Sequence, residues 1–310
     1  MKVFIDGQEG TTGLQLEGRL RPRRDIQLLE IPSSLRKDTK AKQALMEEAD
    51  VVFLCLPDES ARESVKMADQ STIVIDASTA HRTNLDWAYG LPELSSKHRV
   101  AIATGKRIAV PGCHACGFSA MVYPLLSLGV LATDVRINCT SLTGYSGGGK
   151  QLIRTYETER TKHDKYHAPR PYALGLTHKH LPEMMAVNGL EYPPHFYPVV
   201  GDMYQGMLVT IHLWQAQLIK KMTPERLQEL YREYYQEQEA YFIRVPAPDT
   251  EAGFLDPMAC SGTNFLDIFV FGHEEQMVMA ARLDNLGKGA SGAAVQCMNI
   301  ALGIDEKKGL

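Results

Sequence analysis

The chain has 310 residues, 44% of them hydrophobic and 23% charged, with a formal net charge of -4. That is enough sequence for about two domains of ordinary size, and its charge argues against a nucleic acid or an anionic membrane as partner. No stretch approaches the roughly 18 consecutive apolar residues of a membrane span, and MKVFIDGQEGTTG lacks the basic start and apolar core of a signal peptide, so a cytoplasmic protein is expected.

In chain order, KVFID is a short apolar strand, GQEGTTG a glycine-rich turn and LQLEGRL the start of a helix. IQLLEI, DVVFLCLP and TIVIDAS follow as continuous apolar runs, separated by helix-length segments from Lys37 to Ala49 and from Glu59 to Ala68. Such runs fit a parallel sheet covered on both faces, and this half reads as a doubly wound α/β domain. Beyond Cys113 the pattern changes. MLVTIHLW alternates, with Val209, Ile211 and Leu213 on one face and Thr210, His212 and Trp214 on the other. NFLDIFVFG and QMVMAARL are further strands, and TPERLQELYREYYQEQEAYF is a helix with a Thr cap and Pro at its first position. Strands with one polar face predict an antiparallel sheet backed by helices. The closing LGKGASGAAVQCMNIALG is a small-residue helix expected to pack on the first domain. The expected division is a dinucleotide-binding domain over 1–113, joined by the helix 286–303, and a second α+β domain over 114–285.

Gly7, Gly10 and Gly13 lie between the first strand and first helix, where backbone amides and the positive helix end receive a pyrophosphate, and Thr11 and Thr12 add hydroxyls. Strand two ends at Glu30, where an acid commonly grips the adenosine ribose of NAD. In the following IPSSLRKD, Ser33, Ser34, Arg36 and Lys37 form a cradle suited to a 2′-phosphate, which favours NADP(H).

VPGCHACGF places Cys113 after Pro111 and Gly112 at the start of a helix. Unpaired amides there stabilise a thiolate and lower the thiol pKa from about 8.5, which suits a nucleophile. Cys116 lies one turn along, and an acyl acceptor does not need it. Cys55, Cys139, Cys260 and Cys297 sit in apolar or small-residue contexts and are expected to fill cores. His178 and His180 in LTHKHLPEMM are proton carriers by residue type. If the segment is extended, the two are expected to point to opposite sides, so that one faces the thiol; His180 is taken as that one and His178 as next in line. The H-x-H spacing is not that of zinc fingers, and no metal is expected. In TGYSGGGKQL three glycines between Ser146 and Lys150 form an anion nest. DASTAHR ends a parallel strand and supplies Arg82 for a carboxylate or phosphate.

Taken in order, GQEGTTG, DASTAHR, YGLPEL, PGC, TGYSGGGK, HKHLPEM, VGDMYQGM and KGASGAAVQCMN, spread from residue 7 to residue 299, resemble segments of the N-acetyl-gamma-glutamyl-phosphate reductases in their shorter, type 2 branch. The resemblance implies a Rossmann domain, a catalytic domain like that of glyceraldehyde-3-phosphate dehydrogenase, and a homodimer or homotetramer. It also implies NADPH-dependent conversion of a small acyl phosphate, N-acetyl-L-glutamyl 5-phosphate, to its semialdehyde in arginine biosynthesis through a cysteine thioester. It puts the nucleophile at Cys113, the H-x-H pair at His178 and His180, and a substrate arginine at Arg82. Where the family has Asn before PGC and Tyr-Pro-Thr after it, this chain has Val110 before and His114, Ala115 and Cys116 after. A different acyl-phosphate reductase, aspartate-semialdehyde dehydrogenase, is the nearer alternative, and a thiol or zinc module without enzyme activity the distant one.

Overall fold

The computed structural model describes residues 1–36, 38–247 and 250–310. The chain divides into two units, one comprising Met1–Pro92, Ser96–Pro111 and Ala290–Leu310, the other Glu93–Ser95 and Gly112–Gly289.

The first unit holds strands β1 (Lys2–Asp6), β2 (Gln27–Leu29), β3 (Val51–Leu54), β4 (Ile73–Asp76), β5 (Ala88–Tyr89) and β6 (Arg107–Ala109), and helices α1 (Thr11–Leu20), α2 (Thr39–Glu48), α3 (Asp58–Ser64) and α4 (Ser96–Thr104). The strands form one parallel sheet in the order β2-β1-β3-β4-β6-β5. Successive strand residues face opposite ways: Val3, Ile5, Val51, Phe53, Ile73 and Ile75 go into one core, and Phe4, Val52, Leu54 and Val74 into the other. Both faces are thus apolar, which is why the strands read as unbroken hydrophobic runs. The first core is closed by Leu16 and Leu20 of α1, Ile102 of α4 and Ala293, Ala294, Val295, Cys297 and Met298 near the C-terminus. Met46 of α2 and Ala61 of α3 close the second.

The second unit begins with α5 (Cys113–Ser127), β7 (Asn138–Gly144), α6 (Gly149–Glu159), β8 (Arg170–Pro171) and α7 (Leu181–Asn188). It continues with β9 (His195–Gly201), β10 (Met207–Trp214), α8 (Pro224–Glu237), β11 (Ile243–Arg244), β12 (Leu266–His273) and β13 (Gln276–Leu283). The chain then makes a π-helical turn, Gly287–Ser291, before α9 (Gly292–Ala301), the helix that enters the first unit's core. The seven-stranded sheet runs β11-β12-β13-β10-β7-β9-β8. It is mixed rather than purely antiparallel. β7 pairs parallel with β9 because the connection between them contains α6 and α7, a crossover long enough to return the chain in the same direction. Val209, Ile211 and Leu213 are buried, with His212 and Trp214 exposed, as the alternation of β10 requires. α5 lies on that buried face: a Cβ on Gly117 would come within 2.7 Å of Val209 Cγ2. Thr223 caps α8, its hydroxyl accepting from the Arg226 amide at 3.2 Å, with Pro224 at the first helical position.

Candidate active site

The thiol is placed by local sequence. Gly112 is the extended cap of α5, and Cys113 is its first helical residue. The first-turn amides of a helix have no partner within the helix, so a thiolate at Cys113 is stabilised by them and by the helix dipole. The Gly112 N–H donates to Glu183 Oε1 on α7 at 2.8 Å, which fixes the approach of the chain. Backbone closes in from another direction: a Cβ on Gly289 would lie 2.7 Å from Cys113 Cβ, so this contact requires glycine. Cys116 differs in kind. It is fully buried, its thiol is pushed up to about 12 by burial, and its Sγ is 3.6 Å from the Lys288 carbonyl oxygen. Cys139, Cys260 and Cys297 are buried, Cys55 is half-buried, and all six cysteines are unbridged.

His178 and His180 do not diverge. Their ring centroids are 4.7 Å apart, edge to face, and they lie 5.3 and 5.4 Å from the ring of His114, the residue after Cys113. The expectation of opposite sides fails on two counts. Side chains two apart on a strand share a face, and the segment is not a strand but the turn that enters α7, with His180 as the helix cap. The His180 N–H donates to His178 Nδ1 at 3.2 Å. Burial first, and Lys179 second, lower the His178 pKa to about 4, so its ring is neutral near pH 7 and carries its proton on Nε2. His114 is lowered further, to about 3, by burial, then by His178 and Lys179. Its Nδ1 is 2.7 Å from Ser141 Oγ on β7, and its Nε2 is 2.8 Å from the Tyr172 hydroxyl just beyond β8.

The TGYSGGGK segment forms the end of β7, a short 3₁₀ turn at Tyr145–Gly148 and the start of α6. Ser146 is buried, its Oγ accepting from Asn285 Nδ2 at 2.9 Å, while Asn285 Oδ1 accepts the Gly206 amide at 2.9 Å. Lys150 and the neighbouring Gly147 are exposed. The serine therefore anchors the loop, and the lysine is the member open to an anion.

In the first unit the three glycines are required by close approach. A Cβ on Gly7, at φ +90°, would lie 2.3 Å from the Cys55 carbonyl oxygen, and one on Gly13 would lie 2.5 Å from the Gly7 carbonyl oxygen. The Gly10 amide donates to that same oxygen at 2.9 Å. Thr11 Oγ1, in the first turn of α1, is buried with no hydrogen-bond partner among the described residues; Thr12 beside it is half-buried. A cradle that only glycine permits, ending on an unsatisfied hydroxyl at a helix N-terminus, fits a dinucleotide pyrophosphate. Ser33 and Ser34 lie on an exposed 3₁₀ turn. Arg36 pairs with Glu9 of the glycine turn, which brings the basic segment against the pyrophosphate loop; Lys37 lies outside the described residues. Glu30 is exposed and pairs with Arg21 at 2.7 Å. At the end of β4, buried Asp76 accepts the Ser78 hydroxyl and meets His81 Nδ1, each at 2.7 Å, and His81 stacks on Trp87 at 4.0 Å. Arg82 follows, its Nε and Nη2 donating to the carbonyls of Val110 and Ala77 at 2.8 and 3.1 Å.

Residues 2–102 match the semialdehyde dehydrogenase NAD binding domain, and residues 113–285 the semialdehyde dehydrogenase dimerisation domain. The N-acetyl-gamma-glutamyl-phosphate reductase 2 of Nostoc sp. is 43% identical across all of this chain and 99% of its own length. The N-acetyl-gamma-glutamyl-phosphate reductase of Chelativorans sp. is 42% identical over 97% of this chain and 98% of its own. The chain belongs to the N-acetyl-gamma-glutamyl-phosphate reductase family. Solved structures of the same fold include aspartate semialdehyde dehydrogenases from Francisella tularensis (TM-score 0.73, 16% identity, 97% of this chain and 99% of that one) and, with NADP, from Candida albicans (TM-score 0.66, 15% identity, 96% and 98%).

Sequence reading misses much of what surrounds the family's two motifs. Ser141, Tyr172 and Asn285 carry no local signature, and their partners lie far off in sequence, His114 for the first two and Ser146 for the third. Lys288 and Glu93, both fully buried and joined at 2.6 Å, lie 195 positions apart in the chain. For Glu183 a faint signal exists: an acid in the first turn of α7 is common, yet this one is buried.

Proposed function

We propose that this protein reduces N-acetyl-L-glutamyl 5-phosphate to N-acetyl-L-glutamate 5-semialdehyde and phosphate with NADPH, in arginine biosynthesis. The observation that carries the reading is a cysteine held at a helix start, followed by a histidine whose ring touches both rings of an H-x-H turn. Relatives named for this reaction match the chain along its full length. The Cys113 thiolate attacks the acyl carbon; a C–S bond forms, the C–O bond to phosphate breaks, and phosphate leaves with the electron pair. The resulting thioester is electrophilic enough to be reduced, as a carboxylate is not. When bound, NADPH supplies the hydride. His180 gives a proton to the oxyanion formed on reduction and takes it back as the C–S bond breaks, releasing the aldehyde and restoring the thiolate. Arg82 holds the substrate carboxylate and Lys150 an anionic group, with Ser146 anchoring the latter's loop. For the cofactor, Gly7, Gly10, Gly13, Thr11 and Thr12 hold the pyrophosphate, and Ser33, Ser34, Arg36 and Lys37 the 2′-phosphate.

The matched dimerisation domain supports self-association, as a homodimer or homotetramer. Among the described residues no helix is long and apolar enough to cross a membrane, and the biosynthetic role favours the cytoplasm. The deciding assay is reverse turnover: N-acetylglutamate semialdehyde, NADP⁺ and phosphate should yield NADPH, with aspartate semialdehyde at least a hundredfold poorer in kcat/KM. Equal use of aspartate semialdehyde would transfer the reading to that substrate.

A further inference from the structure

Two segments that the sequence singles out have no part in the chemistry above: YGLPEL, which holds Glu93, and KGASGAAVQCMN, which opens with Lys288. The fold joins them. The Lys288 ammonium donates to Glu93 Oε1 at 2.6 Å, and both side chains are wholly buried. The Phe242 ring lies 5.7 Å from the ammonium, and the carbonyl of Leu94, next to the glutamate, accepts the Tyr234 hydroxyl of α8. Lys288 stands between two glycines that close approach requires: a Cβ on Gly287 would collide with the Thr263 carbonyl oxygen, and one on Gly289 would lie 2.7 Å from Cys113 Cβ. Glycine restrains its own backbone least of all residues, so of these three the lysine is the one with a side chain to fix the turn. Its backbone runs along the first turn of α5, where the Lys288 carbonyl oxygen is 3.6 Å from Cys116 Sγ and Gly289 packs on Cys113. A buried ion pair is a poor source of stability, because desolvation offsets the attraction and apolar residues of like volume do as well or better.

We propose that Glu93 and Lys288 are positioning residues for Cys113: their buried ion pair fixes the π-helical turn, and the turn, through Gly289, holds the thiol at the first residue of α5. The pair confines Lys288 to one place, since the ammonium cannot slide away from the carboxylate without leaving two charges unpaired out of water. Apolar side chains would fill the same space and tolerate the slide. Gly289 follows the lysine, with its amide also tied to the Asp284 carbonyl at 2.9 Å. Its contact with Cys113 then limits how far the thiol can move from the unpaired amides of the helix start. Both residues are enclosed, so they act on the place of the thiol and not on the substrate.

The inference rests on the reading of Cys113 as the nucleophile, and its test needs no substrate. Alkylation of Cys113 by iodoacetamide is followed against pH in the full-length protein, with the labelled peptide identified by mass spectrometry so that other thiols do not count. Lys288→Met, Glu93→Gln and the two combined should each free the turn and let the thiol leave the helix-start amides. The inflection should then move upward by about one unit, slowing alkylation about tenfold below it. kcat should fall in step, with KM changed by less than about threefold. Two comparisons separate positioning from simpler accounts. A direct field of the charges would move the inflection up in Lys288→Met, where the anion is left, and down in Glu93→Gln, where the cation is left. A merely structural pair would give inflections that follow stability. The combined variant buries no unpaired charge, so it should melt above either single variant, yet keep their shifted inflection. Opposite shifts in the two single variants overturn the proposal, as does an unmoved inflection in the combined one. If neither single variant folds, the combined variant decides alone. Failure of N-acetylglutamate semialdehyde turnover in the unmodified protein would instead count against the substrate reading, while the alkylation profiles would still decide whether the ion pair positions the thiol.

Discussion

Cys113 and Cys116 are three residues apart on one helix, and their chemistry diverges because of position relative to its end. Cys113 is the first helical residue, beside amides with no intrahelical acceptor. The Cys116 amide already bonds the Gly112 carbonyl at 2.8 Å, and its sulfur is enclosed. With its thiol pushed up to about 12 by burial, Cys116 stays protonated at pH 7. Cys113→Ser should therefore abolish turnover, and Cys116→Ser should keep it within about threefold, because a hydroxyl there can still donate to the Lys288 carbonyl and costs about 1 kcal/mol of stability. Steady-state turnover and the number of thiols alkylated at pH 7 check this together: one in the unmodified protein and in Cys116→Ser, none in Cys113→Ser. Equal damage from both changes would mean that Cys116 also takes part in the chemistry. This much is legible in the sequence, since Pro-Gly-Cys before a helical run is local information. The histidine pair is legible in type but not in direction. Nothing in H-x-H spacing declares whether the backbone is strand or turn, and here α7 begins at once.

At the scale of elements, legibility follows period and caps. β10 is read with its true bounds because its alternation is strict, and α8 because Thr223 and Pro224 mark its start. β7 escapes such a reading. NCTSLTG lacks an apolar period: its Ser141 meets His114, and its Gly144 admits the Tyr204 carbonyl, which would lie 2.6 Å from an added Cβ. The π-helical turn at Gly287–Ser291 likewise looks like ordinary helix in the sequence. Its irregularity has a visible cause in the approach of Gly289 to Cys113. A methyl group there has nowhere to go, because the atoms it meets are Cys113 Cβ at 2.7 Å, the Asp284 carbonyl oxygen at 3.1 Å and Cys113 Cα at 3.2 Å. Gly289→Ala should displace the nucleophile from the helix start. The expected result is a hundredfold or greater loss of kcat, a matching loss of alkylation rate, and about 1 to 3 kcal/mol of destabilisation from overpacking. An unchanged alkylation rate would mean that the turn yields and the thiol does not.

Across the whole molecule, sequence order and structural membership do not coincide. The dinucleotide motifs lie within the first 40 residues, and motifs alone would end the cofactor domain near Cys113. The small-residue composition of the closing helix assigns it to that domain as well, and the structure builds the first unit from three stretches, the last being Ala290–Leu310. Its contribution is central: Ala293, Ala294, Val295, Cys297 and Met298 are buried among Val3, Ile5, Phe53 and Ile75. It also satisfies a buried cation, for Arg23 Nη1 donates to Asn299 Oδ1 at 2.7 Å, and Asn299 Nδ2 donates to the Lys308 carbonyl at 2.9 Å. Deleting everything after Leu286 would expose one face of the parallel sheet and strip Arg23 of that acceptor, a combination that small domains do not survive at stabilities of about 5 to 15 kcal/mol. A chain ending at Leu286 should therefore fail to bind NADPH although every predicted cofactor contact is retained. Met298→Ala is the graded form of the same test. It removes one buried side chain at a cost of about 2 to 5 kcal/mol, and should lower the melting temperature while the folded fraction binds NADPH with its original affinity. Fluorescence titration of NADPH against both variants, with circular dichroism to report the folded fraction, separates loss of the unit from loss of a contact. Binding of normal strength by the truncated chain would show that the rest of the first unit holds its shape without α9.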